Sequence, residues 1–548
     1  MSTVDSLPDA SPAHTVDVQA PPTLIPSHSD SSELPTTNRP GSPTSLSNTV
    51  HSEGLNNKRQ NDAAATKTEP EVQDSNTVVV GWDGPDDPSN PRNWTTKQKW
   101  GAALTVSAFT FILPVSSSMV APAASQVASA FHITDQFQVN LTISIFVLAY
   151  GFGPLFLGPL CEIFGRATIL RACNLFFVVW NLACGFAQSE AQLIVFRFLA
   201  GIGGSAPLAA GGAVLGDMWA PEERGKSVVI YSLAPLLGPV VGPIAGGWIA
   251  EKSTWRWVFW STSIAAFLVQ LLGLWTLKET YTPVLLDRKA KAIRAKLDTE
   301  GGGSGKEVRT IFQKTAKRDY KQFFFVSICR PFIMSAQEPI IQLLGAYLAF
   351  VYGVIYLVLT TIPPIFTDIY HENAGIVGLQ YVSLGMGLTI ASQFNARMLD
   401  IVYRQLKAKN GGAGEPEFRL PCIFPGTILL PVGLLIAGWG AQAHTHWIVP
   451  DIGFALIGAG SVLTFQGMQM YVIDAFSQYA ASALAAVSFL RSMAGFGFPL
   501  FAPAMYDRLG YGVGNTVLAA IALVIGCPAI WLFWIYGKKI RGASKHAK

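Results

Sequence analysis

Residues 191–213 read AQLIVFRFLAGIGGSAPLAAGGA, an apolar run with a single charge, Arg197, set inside it. A helix that crosses the hydrocarbon core of a bilayer needs about 20 such residues. Working outward, eleven further runs of similar kind occur at 102–122, 138–159, 172–188, 227–250, 257–277, 341–362, 375–396, 422–440, 452–470, 482–504 and 513–536. Six runs, a polar interval of about sixty residues and six more runs have the spacing of a duplicated six-helix unit. Composition agrees, since half of the 548 residues are apolar and only 14% are charged. The mean hydropathy of +0.35 excludes an ordinary soluble chain. The expected fold is therefore an all-α membrane protein of twelve transmembrane helices in two pseudo-symmetric six-helix bundles.

The polar stretches complete the layout. Residues 1–90 carry thirteen acidic and four basic side chains among Ser, Thr, Pro, Asp and Asn, too little apolar surface to offset the entropy of ordering. They are expected to form a disordered tail, with no cleaved signal at the start. The six-helix bundles are expected at 91–277 and 339–537, joined by a basic loop at 278–338 and followed by a basic end at 538–548. Lys and Arg flanking the helices number 30 on the side of both chain ends and 3 on the other, which sets both termini in the cytoplasm. The thirteen basic residues of the central loop suit anionic lipid headgroups better than nucleic acid.

Subtracting these flanks and the tail leaves two basic residues inside apolar runs, Arg197 and Arg491, and no Asp or Glu inside any of them. An Arg in a membrane is tolerated where it borders a wet cavity or where it meets a partner such as a carbonyl of a neighbouring helix. Both readings stand for each residue; the first implies a solute pathway between the two bundles. Six scattered Cys without a CxxC pair read as small hydrophobes. His444-Thr-His446 lacks the further ligands of a metal centre, and no GxxxxGK[ST] run is present for a nucleotide. No metal, cofactor or enzymatic constellation is expected.

The loops carry motifs. Gly158-Pro-Leu-Cys-Glu162-Ile-Phe-Gly165-Arg166 resembles the G-x-L-x-D-x-x-G-R signature of the major facilitator superfamily, with Glu162 in place of the usual Asp. That resemblance implies a gate latch, with Glu162 facing a helix terminus in the other half and Arg166 pairing with an acid at the end of helix 4, where Asp217 stands. Arg197-Phe-Leu-Ala-Gly201-Ile-Gly203 looks like the R-x-x-x-G-x-G run of helix 4 in the same superfamily, which implies a part for Arg197 in organising proton transfer. Gly238-Pro239-Val-Val-Gly242-Pro243-Ile-Ala-Gly246-Gly247 is similar to the motif that marks its drug:proton antiporters. Its glycines bare one helix face and its prolines bend the helix, so it reads as a pivot. Trp255-Arg-Trp-Val-Phe259, Glu279-Thr-Tyr281-Thr-Pro283 and Arg330-Pro-Phe332 are further features typical of fungal members.

The resemblance implies a cavity lined by helices 1, 4, 7 and 10. Candidates for its wall are Arg197, Gln342, Tyr347, Gln466, Gln469 and Arg491, with Tyr352, Tyr356, Phe465, Met468 and Met470 as further aromatic or polarizable surface. For proton coupling the candidates are Arg197, Asp217 and Glu338. Because no carboxylate is buried at mid-depth, a gate acid could take the proton, the substrate could, or coupling could be absent; the resemblance favours a gate acid. The expected function is export of amphipathic, drug-like organic solutes by a monomeric plasma-membrane carrier working by alternating access, with protons moving inward. A facilitator or importer of the same fold and a transport-dead sensor are the alternatives.

Overall fold

The computed structural model describes residues 77–220, 223, 225–299, 307–312, 320–476, 479–544 and 547. In lipid every backbone N–H and C=O must be satisfied inside its own segment, so apolar runs of this length become helices. Span 1 covers Thr96–Phe131 and opens on a Thr95/Gln98 capping box. Spans 2 and 3, Gln136–Phe164 and Arg166–Gly185, are separated by the single residue Gly165. Span 4, Glu190–Met218, is broken at Ser205, just before Pro207. Span 5 is Gly225–Lys252 and span 6 Arg256–Thr276.

In the second half, span 7 is Pro339–Ile369, ending in a π-turn, and span 8 is Ala374–Lys409. Spans 9 and 10 are Pro416–Gln442 and Ile448–Ala475. A last helix runs from Ala480 to Ala543, and Gly510, at φ 71° and ψ 169°, divides it into spans 11 (480–509) and 12 (511–543). Twelve spans result among the described residues, and residues 96 and 543 lie on one face, together with the interval between spans 6 and 7. We call it the basic face. On the far face the connections are residues 132–135, 186–189, 253–255, 370–373, 443–447 and Gly510 alone. Three of these turns contain a histidine in the left-handed region, His132, His371 and His444.

The interval 278–338, expected as a loop, is largely built. Helix Thr282–Thr299 is followed by strand β2, Glu307–Thr310, and by helix Tyr320–Gln337. The expected tail also ends earlier than residue 90. Strand β1, Thr77–Val80, pairs in parallel with β2, Thr77 opposite Glu307 and Val80 opposite Thr310. Lys289 Nζ lies 2.6 Å from Asp83 and donates to the carbonyl of Gly81 at 3.1 Å, and Arg294 donates to Val308 O at 2.8 Å. Residues 77–80 are held by a partner strand more than two hundred residues away and by a small apolar cluster of Val80, Ala290 and Val308, and residues 83–90 fold over the Asp87 carboxylate, which accepts from the backbone N–H of Asp83 and Ser89. The remainder of the expected tail lies outside the described residues.

Small residues set how closely the spans pack. A Cβ on Gly238 would stand 2.5 Å from Pro114 Cβ, and one on Gly242 2.7 Å from Val115 O, while Gly246 lies against Met119 O. Spacing four thus brings span 5 onto span 1 backbone to backbone. One residue further, Gly247 faces Ala374 O at the start of span 8, and a Cβ on Gly378 would meet Pro243 O at 2.7 Å. Span 5 is therefore a strip of contact within its own half on one side and across to the second half on the other.

Candidate functional site

Between the halves lies a cavity of about 970 Å³. Span 2 brings Tyr150 and Glu162 to its wall, span 5 Tyr231 and Pro239, span 7 Tyr352 and Tyr356, span 10 Phe465, Gln466 and Gln469, and span 11 Arg491. Towards the basic face the wall continues through Arg166, Ala396, Leu399 and Tyr479 at the helix ends, and Ser327 and Arg330 of helix Tyr320–Gln337 stand at the mouth. Towards the far face the halves meet. Asn140 Nδ2 donates to Pro499 O at 2.7 Å, Gly375 N donates to Glu251 Oε2 at 3.1 Å, and spans 5 and 8 touch at Gly247 and Gly378. The cavity is open on the basic face and closed on the other.

The two buried arginines part company here. Arg491 lines the cavity, its guanidinium carbon 5.0 Å from the Tyr352 ring and 5.1 Å from Phe465. Two cation–π contacts are worth about 0.5–2 kcal/mol each, against about 2.5–3.5 kcal/mol for placing an Arg at mid-membrane. Its Nε is buried without a hydrogen-bond partner among the described residues. Arg197 is not in the cavity wall. It is 0% exposed, stands 5.2 Å and 5.6 Å from the Phe146 and Phe259 rings, and donates from Nη2 to Ile143 O at 3.2 Å. The glycines that follow it explain the depth: a Cβ on Gly201 would meet Phe146 O at 2.7 Å, and one on Gly203 would meet Cys173 O and Phe177 N at 2.8 Å. Spans 2, 3 and 4 close so tightly that Arg197 is sealed among them and span 6.

Of the other residues expected in the wall, Gln466 and Gln469 are there, and Gln466 is oriented by Asn395 at 3.1 Å and Ser392 at 2.6 Å. Gln342 is not; it lies exposed in the first turn of span 7 and donates to Ala336 O at 2.8 Å. Tyr347 is fully buried inside the second half, against Gly526 of span 12. Glu338, 1% exposed, receives the hydroxyl of Ser544 and so anchors the C-terminal segment instead of facing the cavity. Tyr150 and Arg330 were missed. The signal for Tyr150 was a polar-tipped ring inside span 2, and for Arg330 a base close to an apolar stretch, Phe323 to Phe325.

Of the residues expected to form a latch, Gly165, Arg166 and Asp217 come together at the basic face. Gly165, at φ +98°, makes the whole turn between spans 2 and 3, and a Cβ there would strike the Glu279 carboxylate at 2.6 Å. Oε1 of Glu279 accepts from the backbone N–H of Arg166 at 2.8 Å and of Thr280 and Tyr281 at 3.1 Å. Arg166 Nη1 lies 2.7 Å from Asp217 Oδ2, a contact of charge rather than of aligned hydrogen-bond geometry, and the guanidinium stands over Tyr281 at 5.0 Å. Asp217 also accepts from the Thr280 hydroxyl at 3.0 Å. Glu162 is exposed at the mouth and makes no ion pair among the described residues, while Gly158 has open space beside it. The second half repeats the device: Arg419 Nε donates to Asp474 Oδ2 at 3.0 Å and its guanidinium stands over Tyr403 at 4.2 Å.

Two six-span halves around a cavity open on one side, with matching charged corners, define a multi-pass membrane transporter. The chain belongs to the Major Facilitator Superfamily, whose model matches residues 106–499. It is 45% identical over 485 residues to "Efflux pump vrtL" of Penicillium aethiopicum, covering 88% of this chain and 94% of that protein. It is 42% identical over 477 residues to "MFS-type transporter penM" of Penicillium rubens, with 87% and 92% covered. Among solved structures, a bacterial homologue of the human lysosomal transporter Spinster in an inward-facing, unoccupied conformation superposes at a TM-score of 0.59 with 14% identity, over 82% of this chain and 98% of that one. The xylose transporter XylE from E. coli in a partially occluded inward-open conformation also gives 0.59 at 14% identity, over 80% and 98%.

Proposed function

We propose that the protein exports an amphipathic organic solute from the cytoplasm by alternating access, with protons moving the opposite way. The observation that carries the reading is the cavity of about 970 Å³ walled by both halves and open on the basic face alone. Positive flanks favour the cytoplasm for that face, so solute loads from inside. Export is favoured over import by the Gly-Pro-rich span 5 and by the relatives named efflux pumps.

In the present state the basic-face latch is half made: Arg166 holds Asp217, while Glu162 stands free of ion pairs among the described residues. Rocking of the halves about span 5 would close this mouth, bring Glu162 to the second half and part the far-face contacts. A proton arriving on Asp217 would neutralise the partner of Arg166 and loosen the latch, which gives the gate acid its coupling role; Glu338 and Arg197, away from the cavity, are left with anchoring roles. Exposed Phe325 and Ile333 on helix Tyr320–Gln337 support contact of the basic interval with lipid.

The test is efflux of a compound panel from cells with and without the protein, at external pH of about 5 and about 7.5. An exporter driven by protons lowers cell content of at least one compound, and does so less at the higher pH. Accumulation in place of depletion would establish import.

A further inference from the structure

Among the described residues four charged ones line the cavity, Glu162, Arg166, Arg330 and Arg491. Glu162 and Arg166 belong to the latch, and the charge of Arg166 is met by Asp217. That leaves two guanidinium groups on the solute's route. Arg330 stands at the mouth over the Tyr479 ring at 5.5 Å, and Arg491 stands deeper, between rings contributed by spans 7 and 10. Neither forms a salt bridge with a carboxylate among the described residues. Around Arg491 the wall presents rings, Tyr352 and Tyr356 lying 5.0 Å apart as a tilted pair with Phe465 also against the guanidinium, and the polar groups that Gln466, Gln469 and Ser488 add to the same cavity are uncharged.

We infer that the solute is an organic anion: its acidic group pairs with Arg491, and its ring system lies against Tyr352, Tyr356 and Phe465. The inference deepens the export reading and rests on it. A neutral solute would leave the guanidinium uncompensated when water is expelled on closure, and a cation would add repulsion in a low-dielectric space. An anion supplies the opposite charge that no carboxylate among the described residues gives Arg491, in the planar two-point geometry a guanidinium prefers. Arg330 then serves as an outer cation that draws anions to the mouth. The charge arithmetic is simple: around Arg491 the empty carrier presents one positive charge and the loaded carrier none. An inside-negative membrane potential itself favours outward movement of such a solute.

The experiment uses the full chain in lipid nanodiscs and three fluorescent probes that share one ring system: 9-anthracenecarboxylate, anthracene-9-carboxamide and 9-(aminomethyl)anthracene, titrated at neutral pH. The carboxylate is expected to bind at least about tenfold more tightly than the amide, and the ammonium more weakly than either. In Arg491→Gln the preference disappears while amide affinity stays within about twofold. Arg491→Lys, which keeps the charge and loses the fork, retains part of the preference, and serves where the Gln variant does not fold. Equal or tighter binding of the amide or ammonium by the unaltered protein overturns the inference. So does a preference that survives Arg491→Gln, or no measurable carboxylate binding. Export is read separately in cells: binding of the carboxylate without any depletion sinks the export reading and leaves anion recognition standing. Depletion of cationic dyes by a protein that prefers the ammonium probe does the reverse.

Discussion

Replacing Gly242 by Ala tests the pivot with the smallest possible perturbation. The added Cβ would stand 2.7 Å from Val115 O and 3.2 Å from Met119 N, so the backbones of spans 1 and 5 must part by several tenths of an ångström. Overpacking of this kind costs about 1–3 kcal/mol. If spans 1 and 5 shift during the transport cycle, that energy falls unequally on the two states and alters their ratio by about 5–150-fold. The control is Gly497→Ala on span 11, where a Cβ meets nothing within 4 Å. Efflux rate per surface molecule, with melting temperature of the purified protein alongside, is the assay. Gly242→Ala is expected to slow efflux at least about fivefold, and Gly497→Ala to stay within about twofold. A Gly242→Ala protein that melts lower yet transports normally would show strain shared equally by both states, and the pivot argument would be refuted.

Three further outcomes are expected. Asp217→Asn removes the charge facing Arg166 at 2.7 Å. Net efflux should fall about tenfold or more while solute exchange at equal proton concentration persists; equal loss of both would make Asp217 a plain structural partner. Arg197→Met should keep efflux at about half or more, because two of the three guanidinium nitrogens have no hydrogen-bond partner among the described residues of the sealed site. A folded, surface-present variant without efflux would return Arg197 to the transport machinery. Finally, the backbone N–H groups of Asp83 and Ser89, together with Lys289, hold the Asp87 carboxylate below its ordinary range. Its contribution to the β1–β2 clasp is therefore present above the unfolded value of about 3.9 and lost as pH falls through the lower folded value. Hydrogen exchange at residues 77–80 should stay slow at pH of about 5 and quicken in Lys289→Ala; equally slow exchange in the variant would contradict a clasp held by charge.

The spans were legible because lipid leaves an apolar run of twenty residues only one way to satisfy its backbone. The meeting of Arg166 with Asp217 could be anticipated from the Gly165-Arg166 turn between two apolar runs, whereas the expected contact of Glu162 with a helix terminus in the other half is not seen in this state. The fate of the two arginines was not legible. Both sit in apolar runs, and what separates them is how closely neighbouring helices approach: the glycines after Arg197 close spans 2, 3 and 4 around it, whereas Arg491 meets only rings on the facing spans. Gln342 and Tyr347 show the same limit, as one lies at the helix start and the other turns into its own half. The end of the tail was misjudged because β1 has no local reason to form; its partner strand lies across the whole first half of the chain.

The turns on the far face carry one more consequence. Each joins two spans of the same half, and the covalent link between halves runs only on the opposite face. The far-face seam is thus fastened by contacts such as Asn140 with Pro499 and Glu251 with Gly375, and no peptide bond tethers it. It can unzip without stretching any loop, and a chemical staple set across it would hold the carrier shut on the far face while leaving the doorway on the basic face to fill.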